Sequence, residues 1–548
     1  MSRRPPIPSV LVVIPARGGS KGIPRKNLRS LGGKPLIAYS ISTAKQSAYV
    51  SDVVVSSDDD EILTVASKYG AATHLRSPDI ADDLTTLDPV IYSAYEWART
   101  AFGKDYSLII TMQPTSPLLS VESLDAAIQK LLENEQVDTV ISARDDTHLA
   151  WRKQDGKFVP DYAKRVNRQE LPARYRETGG LLATRSSVIT PESRIGPKVD
   201  LLVLNQREAI DIDTYEDWSL CEYHLRRKRL LFVVSGYREI GLGHVYNTLL
   251  IANDILKHEV LFLVDDRSQM AYDRIADRNY PVYMQQSPNI VDDIRRLDPD
   301  LVINDRLSTT EEYMQALKNL AVPTINFEDE GPGARLADVV INAIYPEPSI
   351  NTGRYYGHRY FCLRDEFLLT KPKTFRPTVE RVLITFGGVD PNNYTHKVLS
   401  AISDYCQEAD IEIDVVAGFG YNNYDSISGF PGNIHRDVGR ISDFMAAADL
   451  VFTSAGRTVF EIAAVQTPAV VLAQNERELT HTFASAENGF LNLGLGHKVS
   501  NADLLQHFRQ LVESAAVRRH MSELMSRINL SEGRRNVLKL IDQVLEQD

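Results

Sequence analysis

The chain has 548 residues, of which 43% are hydrophobic and 24% charged, and its formal net charge at pH 7 is −12. This length predicts two or three domains, and the acidic balance argues against broad binding to the phosphate backbone of nucleic acids. Cys221, Cys362 and Cys406 lie far apart in the sequence, so they indicate neither a metal cluster nor a disulfide framework. We expect a cytoplasmic protein that does not cross a membrane, because the apolar runs are too short for a signal peptide or a membrane span.

Short apolar strands alternate with helical patterns along the whole chain, which predicts a parallel α/β architecture. The elements predicted in the first third are strands at Val10–Ile14, Val53–Ser57, Leu108–Met112 and Val137–Ser142, and helices at Pro35–Ser47 and Glu61–Tyr69. Near residue 214 the sequence DTYED predicts a helix start, with Thr214 as the cap and Asp217 at the third helical position.

The strand-to-glycine pattern then begins again twice. RLLFVVSGYREIGLGH predicts a strand, a glycine loop and a helix from about Val245 to Lys257, and a Lys/Pro-rich connector near residue 375 precedes RVLITFGGVD. We therefore predict a domain over residues 1–228 followed by two similar lobes over 229–374 and 375–548.

The first candidate site is the loop in VLVVIPARGGSKGIPRKN, residues 10–27. A run of small residues after a strand exposes backbone N–H groups that bind phosphate, and Arg17, Lys21 and Arg25 add charge suited to a triphosphate. The loop has neither the Walker A spacing nor Gly-x-Gly-x-x-Gly, which argues against a P-loop NTPase or a dinucleotide-binding protein. Lys26 and Arg29 are predicted to face solvent.

This loop resembles the signature of the acylneuraminate cytidylyltransferases, and further motifs follow in the family's order over about 228 residues. These motifs are VVVSSDDDEI, RSPDIADDLTT, MQPTSPLL, RQELPARYRETGG and DIDTYEDW. The resemblance implies a Rossmann-like nucleotidyltransferase domain. It also implies a reaction in which the anomeric hydroxyl of a nonulosonic acid attacks the α-phosphorus of CTP and pyrophosphate leaves.

The resemblance also implies which residues act. Arg17 and Lys21 would carry the catalytic charge, and Asp211 and Asp213, on one face of an extended segment, would hold Mg²⁺ between the phosphates. The residues implied to contact the nucleotide or the sugar are Ser20, Asn27, Arg76, Asp83, Gln113 and Arg168.

The chain departs from the family pattern near the acceptor pocket, at Leu118-Leu119 and at Thr178-Gly179-Gly180. The sugar therefore stays open among sialic, legionaminic and pseudaminic acid. Two alternatives also stay open: a CMP-ketodeoxyoctonate synthetase and a non-catalytic nucleotide-sugar binding protein. Since the resembled synthetases are often dimers, a homodimer is expected.

The second candidate site centres on His244 in Gly241-Leu-Gly-His, at the junction of a loop and a helix. The positive end of a helix favours a neutral imidazole that can act as a base. Further along, the segment Ser454–Thr458 precedes a helix and predicts a diphosphate nest, and Gly387-Gly388 allows a ligand to approach the backbone closely.

The segments GLGHVYN, FEDEGPGARLADVVINAIY, LITFGGVDPNNYT and LVFTSAGRTVFEIAAVQTPAVV resemble, in order, the UDP-sugar hydrolase of pseudaminic acid biosynthesis. That resemblance implies two Rossmann-like lobes of the glycosyltransferase-B type, as in MurG. It implies His244 as general base toward a UDP-amino sugar, with Thr458 and Glu461 contacting the ligand. Asn247 stands where that family has Arg, and Asn475-Glu476 where it has Asn-Gln. An active hydrolase and a binding lobe of different specificity therefore both stay open.

Overall fold

The computed structural model describes residues 9–19, 22–81, 85–237, 240–346, 354–418, 420–436 and 438–546. The chain forms two compact units, Met1–Arg227 and Lys228–Asp548. In the ranges described, no helix combines the length and the apolar character needed to cross a membrane.

The first unit is built on a seven-stranded sheet with two small hairpins beside it. Its strands are β1 (Val10–Pro15), β2 (Ser30–Leu31), β3 (Lys34–Pro35), β4 (Asp52–Ser57), β5 (Ala72–Leu75), β6 (Leu108–Met112), β7 (Thr139–Asp145), β8 (Trp151–Gln154), β9 (Lys157–Pro160), β10 (Tyr175–Arg185) and β11 (Val199–Leu204). Its helices are α1 (Leu36–Gln46), α2 (Asp60–Lys68), α3 (Leu87–Phe102), α4 (Val121–Glu133) and α5 (Tyr215–Arg226). The large sheet has the order β11-β7-β10-β6-β1-β4-β5.

Strand β1 lies inside this sheet, and all six of its residues are buried. Its alternate side chains enter different apolar clusters: Val10, Val12 and Ile14 join one, and Leu11 and Val13 join the other. A strand covered on both faces needs a continuous apolar run, which explains why VLVVIP does not alternate with polar residues.

One strand differs from the parallel arrangement that the sequence predicts. β10 pairs antiparallel with both β6 and β7, and its register shifts between Glu177 and Leu182. Gly179 lies in this interruption with φ +74°, a conformation that favours glycine. The segment TGG therefore bends the strand beside the carboxyl end of β6.

The cap predicted at Thr214 is confirmed. The Asp217 backbone N–H donates to the Thr214 hydroxyl over 3.2 Å, and the Thr214 N–H donates to the Asp217 carboxylate over 2.9 Å. Two donors of the first turn of α5 are satisfied in this way. The capping box fixes the start of the helix directly after the predicted metal ligands Asp211 and Asp213.

The second unit contains two sheets in which every strand pair is parallel. The first sheet, in the order β14-β13-β12-β15-β16-β17-β18, has the strands β12 (Arg229–Val234), β13 (Glu259–Val264), β14 (Val282–Met284), β15 (Leu301–Asp305), β16 (Thr324–Phe327), β17 (Val339–Asn342) and β18 (Arg354–Tyr356). The second, in the order β21-β20-β19-β22-β23-β24, has the strands β19 (Arg381–Ile384), β20 (Glu412–Ala417), β21 (Asn433–Arg436), β22 (Leu450–Thr453), β23 (Ala469–Ala473) and β24 (Phe490–Leu495). These sheets form two Rossmann-like lobes, as the sequence predicts.

Helices alternate with these strands. They are α6 (Gly243–Asp254), α7 (Gln269–Ala276), α8 (Ile290–Leu297), α9 (Glu311–Asn319), α10 (Asp365–Leu369), α11 (Tyr394–Glu408), α12 (Tyr424–Ile427), α13 (Ile441–Ala447), α14 (Thr458–Val465), α15 (Asn501–Glu513), α16 (Ala515–Ser526) and α17 (Gly533–Leu545). The last of them, α17, belongs to the range 375–548 that the sequence assigns to the C-terminal lobe. Its residues Val537, Leu540, Ile541 and Val544 instead pack in the core that contains β12 and β13. The helical spacing of these residues creates an apolar face, and burial against the other lobe removes it from water.

In each of the three large sheets the strand order reverses beside the first strand of its region, namely β1, β12 and β19. Ligands of open α/β sheets bind outside the carboxyl ends of the strands at such reversals. The three glycine-rich loops of the sequence follow these three strands, so the topology places each loop where a ligand is expected.

Candidate active sites

The loop after β1 packs against the polar end of β4. The Gly18 N–H donates to the Asp58 carboxylate over 3.1 Å, and a Cβ on Gly18 would lie 2.7 Å from an oxygen of Asp59. A larger residue at this position would have to displace that carboxylate. Ser20 and Lys21, which the sequence predicts in the phosphate site, lie outside the described residues.

Asn27 stabilises the loop through a hydrogen bond to its backbone. Its side chain is buried, and its amide donates to the Arg17 carbonyl over 3.0 Å. The described contact of Asn27 is therefore with the loop itself, and its predicted contact with a nucleotide stays a prediction. Arg25 extends outward and forms ion pairs with Glu61 at 2.5 Å and Asp59 at 3.9 Å.

Arg76 brings a second cation to this loop. It is buried, and its guanidinium donates to the Ser56 carbonyl over 2.9 Å. Burial lowers the pKa of Arg76, nearby Asp58 raises it, and Arg17 lowers it again. The Arg76 Nε is buried and has no hydrogen-bond partner among the described residues. Two cations close enough to affect each other in this way would be stabilised by an anion near them.

Asp211 and Asp213 flank Ile212 just before α5. Burial raises the pKa of the Asp211 carboxyl, Thr115 opposes that shift by a hydrogen bond, and Asp213 adds to it. Oδ1 of Asp211 is buried and has no partner in the described part of the chain. Asp213 is different, because its side chain is 78% exposed.

Two residues that the sequence analysis did not assign to the site hold this pair in place. The Lys26 ammonium lies 3.4 Å from Asp213 and donates to the Ile212 carbonyl, and its side chain is only 13% exposed. The prediction that Lys26 faces solvent is therefore wrong, because the segment Asp211–Asp213 covers it. Thr115 accepts the Ile212 N–H through its carbonyl at 2.8 Å. Lys26 directly precedes Asn27 in the loop, and this position is the sequence feature that indicates a role for Lys26 at the site.

Gln113 follows β6 and lies beside the bend in β10. Its side-chain amide donates to the Gly179 carbonyl over 2.7 Å, and a Cβ on Gly179 would lie 3.6 Å from the Asp211 carboxylate. Gln113, Gly179 and Asp211 therefore meet at one place. Arg168 is exposed and lies 3.5 Å from Asp145, which is not a member of this group. Asp83 lies outside the described residues.

The donors present suit a hard divalent cation. Mg²⁺ prefers oxygen ligands and is commonly held by one or two carboxylates together with substrate phosphates. The unpaired, buried oxygen of Asp211 and the exposed carboxylate of Asp213 fit that description. The described residues contain no group of three or more potential metal-ligating side chains, so the fit requires oxygens from a substrate.

In the second unit, His244 lies on the first turn of α6, and its Nδ1 is 2.5 Å from Oδ1 of Asp305. Asp305 is the last residue of β15, which neighbours β12 at the reversal of the sheet. The Asp305 side chain is 1% exposed and that of His244 is 15% exposed. The imidazole is therefore anchored at its buried edge.

Asn247, Arg457 and Glu328 complete this cluster. The side-chain amide of Asn247 donates to Oδ2 of Asp305 over 2.7 Å, and Arg457 donates to Oδ1 of the same side chain over 2.7 Å. Arg457 also lies 3.6 Å from the buried carboxyl of Glu328. The side chain at position 247 is an uncharged amide. In the structure the Arg457 guanidinium lies next to that amide and supplies a cation there.

The predicted diphosphate nest lies between β22 and α14. Gly387 has φ +79°, and a Cβ there would lie 3.6 Å from the Thr458 hydroxyl, so Gly387 and Thr458 are neighbours. Gly388 accepts the Gly420 N–H through its carbonyl at 2.9 Å. Glu461 pairs with Arg364 over 2.7 Å. Its predicted contact with a ligand stays a prediction.

One acidic group competes for this nest. The Glu478 carboxylate accepts the Ala455 N–H over 3.2 Å and the Gln474 N–H over 2.8 Å. Burial raises the pKa of Glu478, which favours its neutral form. A phosphate in the nest would have to displace this carboxyl group or meet it protonated.

A cavity of about 570 Å³ in the second unit lies elsewhere. Its lining includes Tyr345, His358 and Phe483, and none of the residues predicted to act in catalysis. The candidate catalytic side chains therefore lie outside this cavity.

The chain is similar in sequence to known proteins over its first unit. A model of the cytidylyltransferase family matches residues 11–201. The pseudaminic acid cytidylyltransferase of Campylobacter jejuni is 34% identical over 215 residues, which are 38% of this chain and 92% of that protein. The chain belongs to the cytidylyltransferase family. The cytidylyltransferase is also 34% identical over 222 residues to the CMP-N,N'-diacetyllegionaminic acid synthase of Legionella pneumophila, over 39% of this chain and 94% of that protein.

Two further similarities of this chain have lower sequence identity. An uncharacterized protein of Methanocaldococcus jannaschii is 30% identical over 274 residues, and the chain spans 56% of that protein's length. The solved structure of Acinetobacter baumannii MurG covers 58% of this chain and 99% of its own, at 16% identity and a TM-score of 0.43. The family assignment rests on the first unit, where Asp211, Gln113 and the loop after β1 lie.

Proposed function

We propose that the first unit transfers CMP from CTP to the anomeric hydroxyl of a nonulosonic acid, with Mg²⁺ as cofactor. The hydroxyl oxygen bonds to the α-phosphorus, the bond to the bridging oxygen breaks, pyrophosphate leaves, and the hydroxyl proton passes to solvent. The relatives named for pseudaminic and legionaminic acid support an acid sugar of this class as acceptor. The single observation that supports the proposal most is the Asp211 carboxylate: its Oδ1 is buried without a partner among the described residues, and its Oδ2 lies near Gly179, as does the Gln113 amide.

The residues of this chain would act mainly by position and charge. Mg²⁺, when bound to Asp211 and Asp213, would supply charge neutralisation for the phosphates. Arg17 and Arg76 would hold the anionic chain of phosphates, and Asn27 would keep the loop backbone in place through its bond to the Arg17 carbonyl. Gln113 would orient the acceptor, because its amide lies next to Asp211.

The test is incubation of the full chain with CTP, Mg²⁺ and a panel of nonulosonic acids, with pyrophosphate release as the readout. Release with sialic, legionaminic or pseudaminic acid supports the proposal and identifies the sugar. Release with ketodeoxyoctonate alone would make the chain a CMP-ketodeoxyoctonate synthetase. Binding of CTP without release under any condition would contradict the proposal and favour a binding protein. Light scattering on the same sample tests the expected homodimer.

For the second unit we infer hydrolysis of a UDP-amino sugar, with His244 as the general base that activates water. The observation that favours it is the contact of His244 with a fully buried carboxylate at the reversal of the sheet. The competing carboxyl of Glu478 favours a binding lobe of different specificity instead. Release of UDP from UDP-amino sugars by the full chain, lost in His244→Gln, would support hydrolysis. UDP binding without turnover would contradict it.

A further inference from the structure

Asp305 contacts His244 through only one of its two oxygens. Oδ1 lies 2.5 Å from Nδ1 of the imidazole, and Oδ2 accepts the Asn247 amide at 2.7 Å. Asp305 is fully buried, whereas part of the His244 side chain is exposed. Because Nδ1 and Nε2 lie on different edges of the ring, Nε2 is the nitrogen that does not face Asp305.

The direction of each hydrogen bond in this cluster follows from which groups can only donate. A guanidinium has no acceptor, so Arg457 requires the oxygen of the Asn247 amide to face it. The NH₂ group of Asn247 then faces Asp305, whose Oδ2 must accept. An ionised carboxylate accepts at both oxygens, and His244 Nδ1 is therefore the donor to Oδ1.

A second buried acid, Glu328, does not change the directions of these hydrogen bonds. Burial raises the pKa of Glu328 to about 8, Arg457 lowers it and the nearby Asp305 raises it. Oε2 of Glu328 is buried without a hydrogen-bond partner in the described ranges. At neutral pH the Glu328 carboxyl is then mostly protonated. Both oxygens of Asp305, by contrast, face donor groups, Nδ1 of His244 and the NH₂ group of Asn247.

We propose that Asp305 is a positioning residue, which holds His244 with its proton on Nδ1 so that Nε2 is the atom that accepts a proton. Asn247 and Arg457 hold Asp305 in that orientation. The catalytic meaning of this arrangement rests on the proposed hydrolase function of the second unit. The position of the proton does not, because it follows from the donors and acceptors alone.

The first test reads the tautomer of His244 directly. The full chain, labelled with ¹⁵N-histidine, is examined by long-range ¹H–¹⁵N correlation at a pH where the ring is neutral. The signal of His244 among the 12 histidines is assigned by its absence in His244→Gln. The wild type is expected to show the Nδ1–H form alone. A protonated Nε2 or a mixture in the wild type would overturn the proposal, and this outcome needs no other variant to fold.

Asp305→Asn is the matching variant, because an amide at this position can either accept from or donate to Nδ1. It is expected to populate both tautomers. Asn247→Ala removes only the donor to Oδ2 and is expected to give a smaller admixture of the second tautomer. Asp293→Asn is the control, because Asp293 is also a buried carboxylate and its contacts are with Ser287, Gln286 and Arg296. An unchanged His244 signal in Asp305→Asn would overturn the proposal.

Kinetics with a UDP-amino sugar separate this inference from the proposed function. Asp305→Asn should lower kcat by roughly 10²- to 10⁴-fold with KM nearly unchanged, as expected when the base keeps its place but holds the wrong tautomer. If the wild type shows the Nδ1–H form but hydrolyses nothing, the proposed function fails and the positioning role of Asp305 stands. If the wild type hydrolyses the sugar and Asp305→Asn keeps its kcat, the positioning role fails and the function stands.

Discussion

The two candidate sites occupy the same kind of place in their sheets but treat their buried carboxylates in opposite ways. Oδ1 of Asp211 is buried with no partner among the described residues, and burial raises the pKa of that carboxyl. Both oxygens of Asp305 are occupied, by His244 and Asn247. An unsatisfied buried carboxylate is costly and awaits an outside cation, whereas a satisfied one can hold a neighbouring group in place. The proposed Mg²⁺ and substrate would therefore complete the first site, whereas the chain itself already pairs both oxygens of Asp305 in the second.

The largest expected effect is the loss of CMP transfer in Asp211→Asn. Removing the buried carboxylate weakens the Mg²⁺ site, which should lower the rate of pyrophosphate release by about 10³-fold or more, since a catalytic metal is worth several kcal/mol. Asp155→Asn is the control, because Asp155 is exposed in the turn between β8 and β9 and has φ +49°, which asparagine tolerates. A rate for Asp211→Asn within tenfold of the control would show that this carboxylate does not serve a metal.

The next effect concerns the base of the second unit. His244→Gln should lower the rate of UDP release by roughly 10²- to 10⁴-fold, the usual contribution of a general base. CMP transfer should be unchanged in the same sample, because the first unit has its own site. His520→Gln, an exposed histidine of α16, should leave both rates unchanged. Equal loss of both activities would mean that His244→Gln disturbs folding and not chemistry.

Without metal, substitution of the two carboxylates should change the free energy of unfolding in opposite directions. In EDTA, Asp305→Asn should destabilise the second unit by about 3 kcal/mol, because it breaks a buried charged contact. Asp211→Asn should stabilise the first unit by roughly 1 kcal/mol, because a neutral amide is cheaper to bury than a carboxylate with one unpaired oxygen. Trp97, Trp151 and Trp218 all lie in the first unit, so tryptophan fluorescence follows its unfolding alone, and hydrogen exchange follows the second unit. Destabilisation in both variants would remove the distinction drawn above.

The last prediction concerns the pH dependence of the free energy of unfolding of the second unit. Burial raises the pKa of Glu328 to about 8, so between its ordinary value of 4.5 and about 8 the folded unit binds more protons than the unfolded chain. The free energy of unfolding should therefore fall as pH rises through this window, by at most about 1.4 kcal/mol per pH unit, and level off above it. Glu328→Gln should flatten that part of the curve. Identical slopes in the two proteins, measured by denaturant unfolding from pH 5 to 9, would contradict the raised pKa.

The sequence predicted the elements near the sites closely. The helix predicted at Pro35–Ser47 spans Leu36–Gln46, and the strand Leu108–Met112 is confirmed with its bounds. Both patterns are local, since an apolar run or a helical period belongs to neighbouring residues. The antiparallel β10 and the return of α17 to the first lobe of the second unit were not predicted. Strand direction and the partner of an apolar face depend on residues far apart in the chain.

The sites show the same difference between features set by local sequence and features set by contacts between distant residues. The sequence by itself determined the α/β class, the glycine loop of the first unit, and the residues His244 and Asp211, because backbone N–H groups, imidazoles and carboxylates have their chemistry wherever they stand. Only the tertiary structure decided that Lys26 lies against Asp213, that Asp305 meets His244 across 61 positions of sequence, and that Arg457 lies next to Asn247 across 210 positions. Hydrogen-bond partners and burial arise when strands and lobes come together, and they determine which carboxylate has both oxygens paired and which keeps an unpaired oxygen.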